Sequence, residues 1–291
     1  MTLLQAWQES PTFLILSAGL LGLLVGSFLN VVIYRLPIMM ERAWRRECLE
    51  FLNQDVEEAP TEQQLNLVSP RSHCPHCGAP IRAVENIPVL SYLVLRGRCA
   101  RCKARISPRY PIIEALTAIT SSLVAWHFGY GTETLAALIL TWSLICLSVI
   151  DIDQQLLPDA ITLPLLWLGL FLSLFSVFTD SHASIIGAIA GYLSLWGIYQ
   201  LFKLATGKEG MGYGDFKLLA MLGAWLGWQL LPAIILFSSL VGAVVATSAV
   251  LLLKRDHNLP IPYGPYLAGA GWLSLLWGKD ATGLYLRFAG F

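Results

Sequence analysis

Eight stretches of this 291-residue chain are apolar over nearly the length needed to cross a lipid bilayer, and no other feature constrains the fold as strongly. A helix needs about 20 apolar residues to span the hydrocarbon core. The runs cover roughly 12–34, 111–128, 135–152, 160–178, 184–204, 216–231, 233–253 and 265–286, the sixth being short and Gly-rich. In lipid every backbone N–H and C=O has to be paired inside the protein, so runs of this kind read as helices. Composition agrees: 56% of the chain is hydrophobic and 13% charged, against about 25% charged in soluble domains. No basic residue precedes the first run and that run is too long for a cleavable signal, so it is expected to stay as a helix.

Lys and Arg then set the orientation. Segments 1–11, 129–134, 179–183 and 228–232 contain neither, whereas 35–110 holds twelve of the nineteen. Lys203, Lys208 and Lys217 bracket the fifth-to-sixth connection, and Lys254 and Arg255 follow the seventh run. With eight crossings these all fall on one side, the cytoplasmic one, and both termini face the periplasm. Lys279 and Arg287 are the exceptions. The net charge of zero averages over a polarised molecule and says nothing about partners.

Small residues four apart, Gly22 and Gly26, Gly187 and Gly191, Gly223 and Gly227, suit close helix packing in lipid. Residues 35–110 differ in kind, with eight acidic and twelve basic residues and no spanning run. Trp44, Cys48 and Phe51 recur at helical spacing, which predicts a short surface helix over Glu41–Leu52; Asn53–Pro70 reads as polar and irregular. No internal repeat stands out.

Within this segment Cys74-Pro75-His76-Cys77 and Cys99-Ala100-Arg101-Cys102 form two C-x2-C pairs separated by twenty-one residues. Four thiolates so spaced suit a tetrahedral structural Zn²⁺, and Gly78 offers the tight turn that such a knuckle needs. Disulfides are disfavoured on the reducing side of the membrane. A redox pair would come singly and near a βαβ pattern, and His73 or His76 is not needed once four thiols are in place. Cys48 and Cys146 read as small apolar residues. Arg96, Arg98, Arg101, Lys103, Arg105 and Arg109 crowd the second pair and read as a solvated, headgroup-facing surface rather than a nucleic-acid site.

The acids at the ends of the apolar runs carry the chemistry. Carboxylates beside hydrocarbon are costly and mark function. Asp151 closes the third run, where the helix dipole disfavours a negative charge, and Asp153 compounds that. Asp215 opens the sixth run within Gly212-Tyr213-Gly214-Asp215, whose glycines permit a sharp turn. Taken alone, Asp215 reads equally well as a helix cap, as does Asp159 after Pro158. Together Asp151 and Asp215 can share a proton and activate a water, as in an aspartic protease. The Gly-Tyr-Gly also suggests a potassium filter, but Gly210-Met211 stands where Thr-Val should, and no pore helix precedes it.

At these residues the chain resembles the type IV prepilin peptidases, also called leader peptidase/N-methyltransferases, among the Gly-x-Gly-Asp intramembrane aspartic proteases. Gly212-Tyr213-Gly214-Asp215 matches the motif and Asp151 falls where the partner aspartate sits. Gly26-Ser27-Phe28-Leu29-Asn30-Val31-Val32 through Arg35-Leu36-Pro37 is similar to the first-helix signature, and Pro262-Tyr263-Gly264-Pro265-Tyr266 to the start of the last helix. Glu85-Asn86-Ile87-Pro88, Leu95-Arg96-Gly97 and Arg109-Tyr110-Pro111 resemble the surround of its cysteine tetrad. The resemblance implies cleavage of the basic leader of prepilins or type II secretion pseudopilins after a Gly at the cytoplasmic face. It also implies methylation of the new N-terminal amine, usually of phenylalanine, from S-adenosylmethionine. It places that second reaction in the cysteine-bearing loop.

The expected architecture is therefore an all-α polytopic protein of the bacterial inner membrane with about eight transmembrane helices and a small cytoplasmic zinc-binding domain. Residues 1–34 form the first helix, 35–110 the zinc domain and 111–291 the bundle. Asp151 and Asp215 are the catalytic pair, with Gly212, Gly214, Asp153 and Asp159 supporting. Partners are prepilins or pseudopilins and membrane lipid, with no nucleic acid. A transporter relaying ions through the acids would place them near the bilayer midplane and carry repeat symmetry; a zinc-scaffolded assembly factor is the third class.

Overall fold

A computed structural model describes residues 3–52, 65–208, 210–253 and 261–288. The chain divides into two compact units, Met1–Tyr130 and Gly131–Phe291. Among the described residues there are helices and two isolated antiparallel bridges, but no strand.

In the N-terminal unit a short helix α1 (Leu3–Glu9) leads to α2 (Pro11–Phe51). Ser10 caps α2 by accepting the Phe13 N–H at 3.3 Å, and Pro11 sits in the first turn, where its missing N–H costs nothing. The expected end near residue 34 does not occur. The helix continues through Pro37 to Phe51, so the predicted surface helix over Glu41–Leu52 is its last quarter. Pro37 forfeits one backbone bond, while Met, Glu, Ala and Arg on its C-terminal side are good helix formers that carry the helix on. Cys48 is exposed there, not packed as an apolar residue. Of Asn53–Pro70, residues 53–64 lie outside the described set.

Beyond the cysteine-bearing segment, which includes the short α3 (Leu90–Val94), α4 (Arg109–Phe128) packs along α2. Gly22 and Gly26 form the seam as predicted. A methyl on Gly22 would meet the Thr117 carbonyl oxygen at 2.7 Å, and one on Gly26 the Glu114 Cα at 2.8 Å. The hydroxyls of Thr117 and Ser121 bond back to carbonyls of their own helix, at 2.7 and 2.6 Å, so they are buried without orphaned donors.

The C-terminal unit comprises α5 (Thr132–Gln154), α6 (Asp159–Ser173), α7 (Ser181–Thr206), α8 (Tyr213–Leu226), α9 (Leu231–Leu253) and α10 (Gly264–Phe288). Short α8 is its core: it packs on α6, α7, α9 and α10, and Phe216, Leu218, Leu219, Met221, Leu222 and Trp225 are almost wholly buried. A helix apolar on every side needs such a jacket. Gly187, Gly191 and Gly223 let α7 meet α8 backbone to backbone, a methyl on Gly191 lying 2.6 Å from the Leu219 carbonyl oxygen. Gly227, the fourth member of the predicted set, instead ends α8 with φ 83°. On the α6 side the Trp225 indole N–H donates to the Leu165 carbonyl at 2.8 Å.

All eight predicted runs are helices, but among the described residues four are long and apolar enough to cross a membrane: Pro11–Phe51, Thr132–Gln154, Ser181–Thr206 and Trp228–Ala249. Asp159–Ser173 is apolar but shorter. The 14 residues of α8 reach about 21 Å at 1.5 Å each, short of a ~30 Å core. Helix α4 carries Glu114, Thr117, Thr120, Ser121 and Ser122, which lower its hydropathy.

Candidate active site and metal centre

The two aspartates singled out from the sequence meet in the C-terminal unit. Asp151 lies in the last turn of α5 and is 5% exposed. The helix ends just beyond it at Gln155, which adopts the left-handed conformation and returns its N–H to the Asp151 carbonyl at 2.9 Å. Asp215 is the third residue of α8 and is 8% exposed, with the Gly212 N–H beside its carboxyl group. The two carboxyl groups are within electrostatic reach of each other.

A proton shared with Asp215 is the compensation expected for Asp151 at its unfavourable helix end, and the structure adds a backbone donor. The N–H of Gly264, the first residue of α10, donates to Asp151 Oδ2 at 3.0 Å in a buried setting. The positive end of one helix therefore faces the acid that closes another. A side chain at 264 is excluded: a methyl there would lie 2.7 Å from Asp151 Oδ2 and 3.2 Å from Leu157 Cδ2. Leu157 also fills the space at Gly214, where a methyl would meet its Cβ at 2.9 Å. One buried leucine thus separates and spaces the starts of α8 and α10 beside the two acids. Gly212 and Gly214 do not use the conformations closed to other residues, contrary to expectation. Gly212 is extended, with φ −80° and ψ 149°, and Gly214 is needed for its size.

The supporting acids are exposed. Asp153 is exposed on the turn after Asp151. Asp159 does not cap α6, since Pro158 occupies the cap. Its carboxylate instead takes both contacts of the Lys217 ammonium, at 2.6 and 2.8 Å. Lys217 was read only as an orientation marker, yet it ties the start of α6 to α8 two residues beyond Asp215.

In the N-terminal unit the four cysteines converge as their spacing required. The sulfur atoms of Cys74, Cys77, Cys99 and Cys102 all lie within 4.8 Å of one another, with Cys74 and Cys102 3.7 Å apart. A tetrahedron with Zn–S bonds of about 2.3 Å has edges of about 3.8 Å, so the set fits zinc. Two equivalent knuckles build it. Cys74 N–H donates to Ala79, Gly78 N–H to Cys74 and Ile81 N–H to Ser72. Cys99 N–H donates to Ala104, Lys103 N–H to Cys99 and Ile106 N–H to Gly97. The bridges His73–Pro80 and Arg98–Arg105 close them. A repeat is therefore present, contrary to the sequence reading: Cys-x-x-Cys-x-Ala-x-Ile occurs at Cys74 and again twenty-five residues later at Cys99. Eight residues are too short to register against the surrounding length, and the left-handed turn is Gly78 in one copy and Lys103 (φ 59°) in the other. The N–H groups of Cys102 and Arg101 hold the Cys99 thiol down, to about 6, so it is readily ionised for a metal. Arg96, Arg98, Arg101, Lys103 and Arg105 are exposed around the second knuckle.

Comparison with known proteins agrees with this division. A model of the bacterial peptidase A24 N-terminal domain matches residues 20–128, and one of the type IV leader peptidase family matches residues 138–247. Similar proteins named prepilin leader peptidase/N-methyltransferase occur in Pseudomonas aeruginosa, 56% identical over 291 residues and all of both chains, and in Stutzerimonas stutzeri, 55% identical over 289 residues and 99% of both. A third, from Aeromonas hydrophila, is 58% identical over 267 residues and 92% of both. No solved structure matches. With its paired acids, its cysteine knuckles and relatives matched end to end, the chain belongs to the type IV leader peptidase family.

Proposed function

We propose that this chain, like the relatives it matches, removes the leader from prepilins and N-methylates the product, and that Asp151 and Asp215 are its hydrolytic pair. The observation that carries the reading is the burial of these two carboxyl groups within electrostatic reach of each other, one held by the Gly264 N–H. Two such groups hold one proton between them. One carboxylate takes a proton from water as the oxygen attacks the scissile carbonyl carbon. The other donates its proton to the carbonyl oxygen, and the proton then passes to the leaving amine as the C–N bond breaks. The roles belong to the pair and are not divided here between its members.

The chain is a helical membrane protein on this reading, with all eight long helices as crossings or near-crossings, both termini periplasmic and the acids at the cytoplasmic face of the inner membrane. The Lys and Arg distribution supports that orientation. Pseudopilins of type II secretion are substrates of the same chemistry, and lipid is the surrounding solvent. Zn²⁺ is the metal that the four thiols fit, in a structural role with no open position. S-adenosylmethionine supplies the electrophilic methyl group, and the cysteine-bearing loop is the part of the chain that receives the amine.

Purified protein incubated with a prepilin should release a shortened product, and Asp151→Asn and Asp215→Asn should each abolish it while the protein remains inserted and folded. A single variant that processed prepilin at the wild-type rate would remove that residue from the pair.

A further inference from the structure

One buried acid belongs neither to the aspartyl pair nor to the metal cluster. Glu114, in the second turn of α4, is 8% exposed and is the only buried acidic residue among the described residues of the N-terminal unit. Its Oε2 accepts the Val89 N–H at 2.7 Å, and the Ser27 hydroxyl of α2 bonds to the same carboxyl group. Val89 is held in an unusual state. Its φ is 58° and its ψ −48°, and the Leu90 N–H turns back to the Pro88 carbonyl across it. That is the strained form of the three-residue turn, and a β-branched side chain is poorly suited to it. Strain of this kind persists only where the surroundings impose it. Here the Glu114 carboxyl group holds the Val89 N–H, and the Ser91 N–H donates to the Ile87 carbonyl at 3.0 Å across the same turn.

The turn leads directly to the metal site. Helix α3 follows it, and the ring of α3's Tyr92 lies against Gly97, where a methyl would meet the ring at 2.9 Å. Gly97 N–H donates to the Tyr92 carbonyl at 2.8 Å, and the Gly97 carbonyl accepts from Ile106 N–H at 2.8 Å, the bond that closes the second knuckle. The far end of the same segment is secured too, because Asn30 Nδ2 of α2 donates to the Tyr110 carbonyl at the start of α4 at 3.2 Å. Hydrogen bonds therefore link Glu114, through the turn at Val89 and α3, to Gly97, two residues before Cys99. The tetrahedron itself is internal to the loop and does not need this mount. Group transfer does, because a displacement of about 1 Å between reacting atoms costs about a hundredfold in rate.

We propose that Glu114 is a positioning residue for methyl transfer: its buried carboxylate holds the turn at Val89 and so fixes the second cysteine knuckle against α4. This rests on the reading that the cysteine-bearing loop carries methyl transfer.

The test uses the full-length protein with a prepilin for cleavage, and a leader-free pilin peptide with S-adenosylmethionine for methylation. Glu114→Ala should lower methylation by about tenfold or more. Leader cleavage should stay within about threefold of wild type, with metal content unchanged. Glu114→Gln keeps an acceptor oxygen for Val89 and should restore most of the methylation. Methylation at the wild-type rate in Glu114→Ala would overturn the proposal. So would a parallel fall of both activities, loss of the metal, or a Gln variant no better than Ala. Cys74→Ser separates this from the reading beneath it. If that variant loses methylation and Glu114→Ala does not, only the Glu114 proposal fails; if Cys74→Ser methylates fully, the loop reading itself fails.

Discussion

The cysteine cluster and the aspartate pair are assembled in opposite ways. The four thiols come from two copies of one eight-residue knuckle, each closed by its own backbone bonds. The aspartyl pair draws on three helices: Asp151 ends α5, Asp215 opens α8 sixty-four residues later, and Gly264, 113 residues from Asp151, opens α10. A site made locally depends on a few turns and survives distant changes. A site made at the meeting of helix ends depends on how closely those ends approach.

That contrast sets the sizes of the expected effects. The largest belong to Asp151→Asn and Asp215→Asn, which should lower leader cleavage by about a thousandfold or more, with metal content unaltered. Product release followed by gel or mass shift reads this directly, and retained cleavage would break the distributed site apart.

Gly264→Ala comes next. Its methyl would stand 2.7 Å from Asp151 Oδ2, so α10 has to retreat from the acid; cleavage should fall about ten- to a hundredfold, while zinc stays bound. A variant as active as wild type would show that the Gly264 N–H contributes little to the pair.

Cys74→Ser should reverse the pattern. Wild type is expected to carry about one zinc per chain and the variant clearly less, because losing a thiolate opens the loop. Methylation should go with it, and cleavage should fall less. Cleavage lost as fully as in Asp215→Asn would mean that the two regions work as one.

The smallest effect is assigned to the Lys217–Asp159 pair, whose side chains are 31% and 49% exposed. An ion pair so open to solvent is worth about 0–1 kcal/mol, so Asp159→Asn should shift stability by no more than that and leave cleavage within about threefold. Asp153→Asn, on the exposed side of the turn, should be similarly mild.

Topology reporters at Gly131 and Ser181 should read as periplasmic, and at Thr206 as cytoplasmic; Thr61, a further cytoplasmic position, lies outside the described residues. A reversed reading at Thr206 would put Asp215 on the wrong side for a cytoplasmic leader.

How legible each part was follows from the same contrast. Eight helices could be counted because apolar runs announce themselves residue by residue, and the cysteines could be paired because knuckle spacing is local. Asp151 and Asp215 were found through their unfavourable surroundings, since acids beside hydrocarbon ask for a reason. Gly264 escaped because its contribution is a backbone N–H, which has no letter of its own. Leu157 escaped because a buried leucine resembles every other. The continuation of α2 past Pro37 was missed because proline reads as a boundary, although one lost bond is a small cost in a helix of 41 residues.

That long helix has a mechanical consequence. From Arg35 to Phe51 it extends about 24 Å at 1.5 Å per residue, so a 10° change of tilt in a thinner or thicker bilayer swings its tip by about 4 Å. Buried Arg35 grips the segment before Cys74 near the fulcrum, donating to the Asn66 carbonyl at 2.8 Å and the Pro70 carbonyl at 2.6 Å. A tilt of this helix would then move its tip by several ångströms and the segment held beside Arg35 by far less.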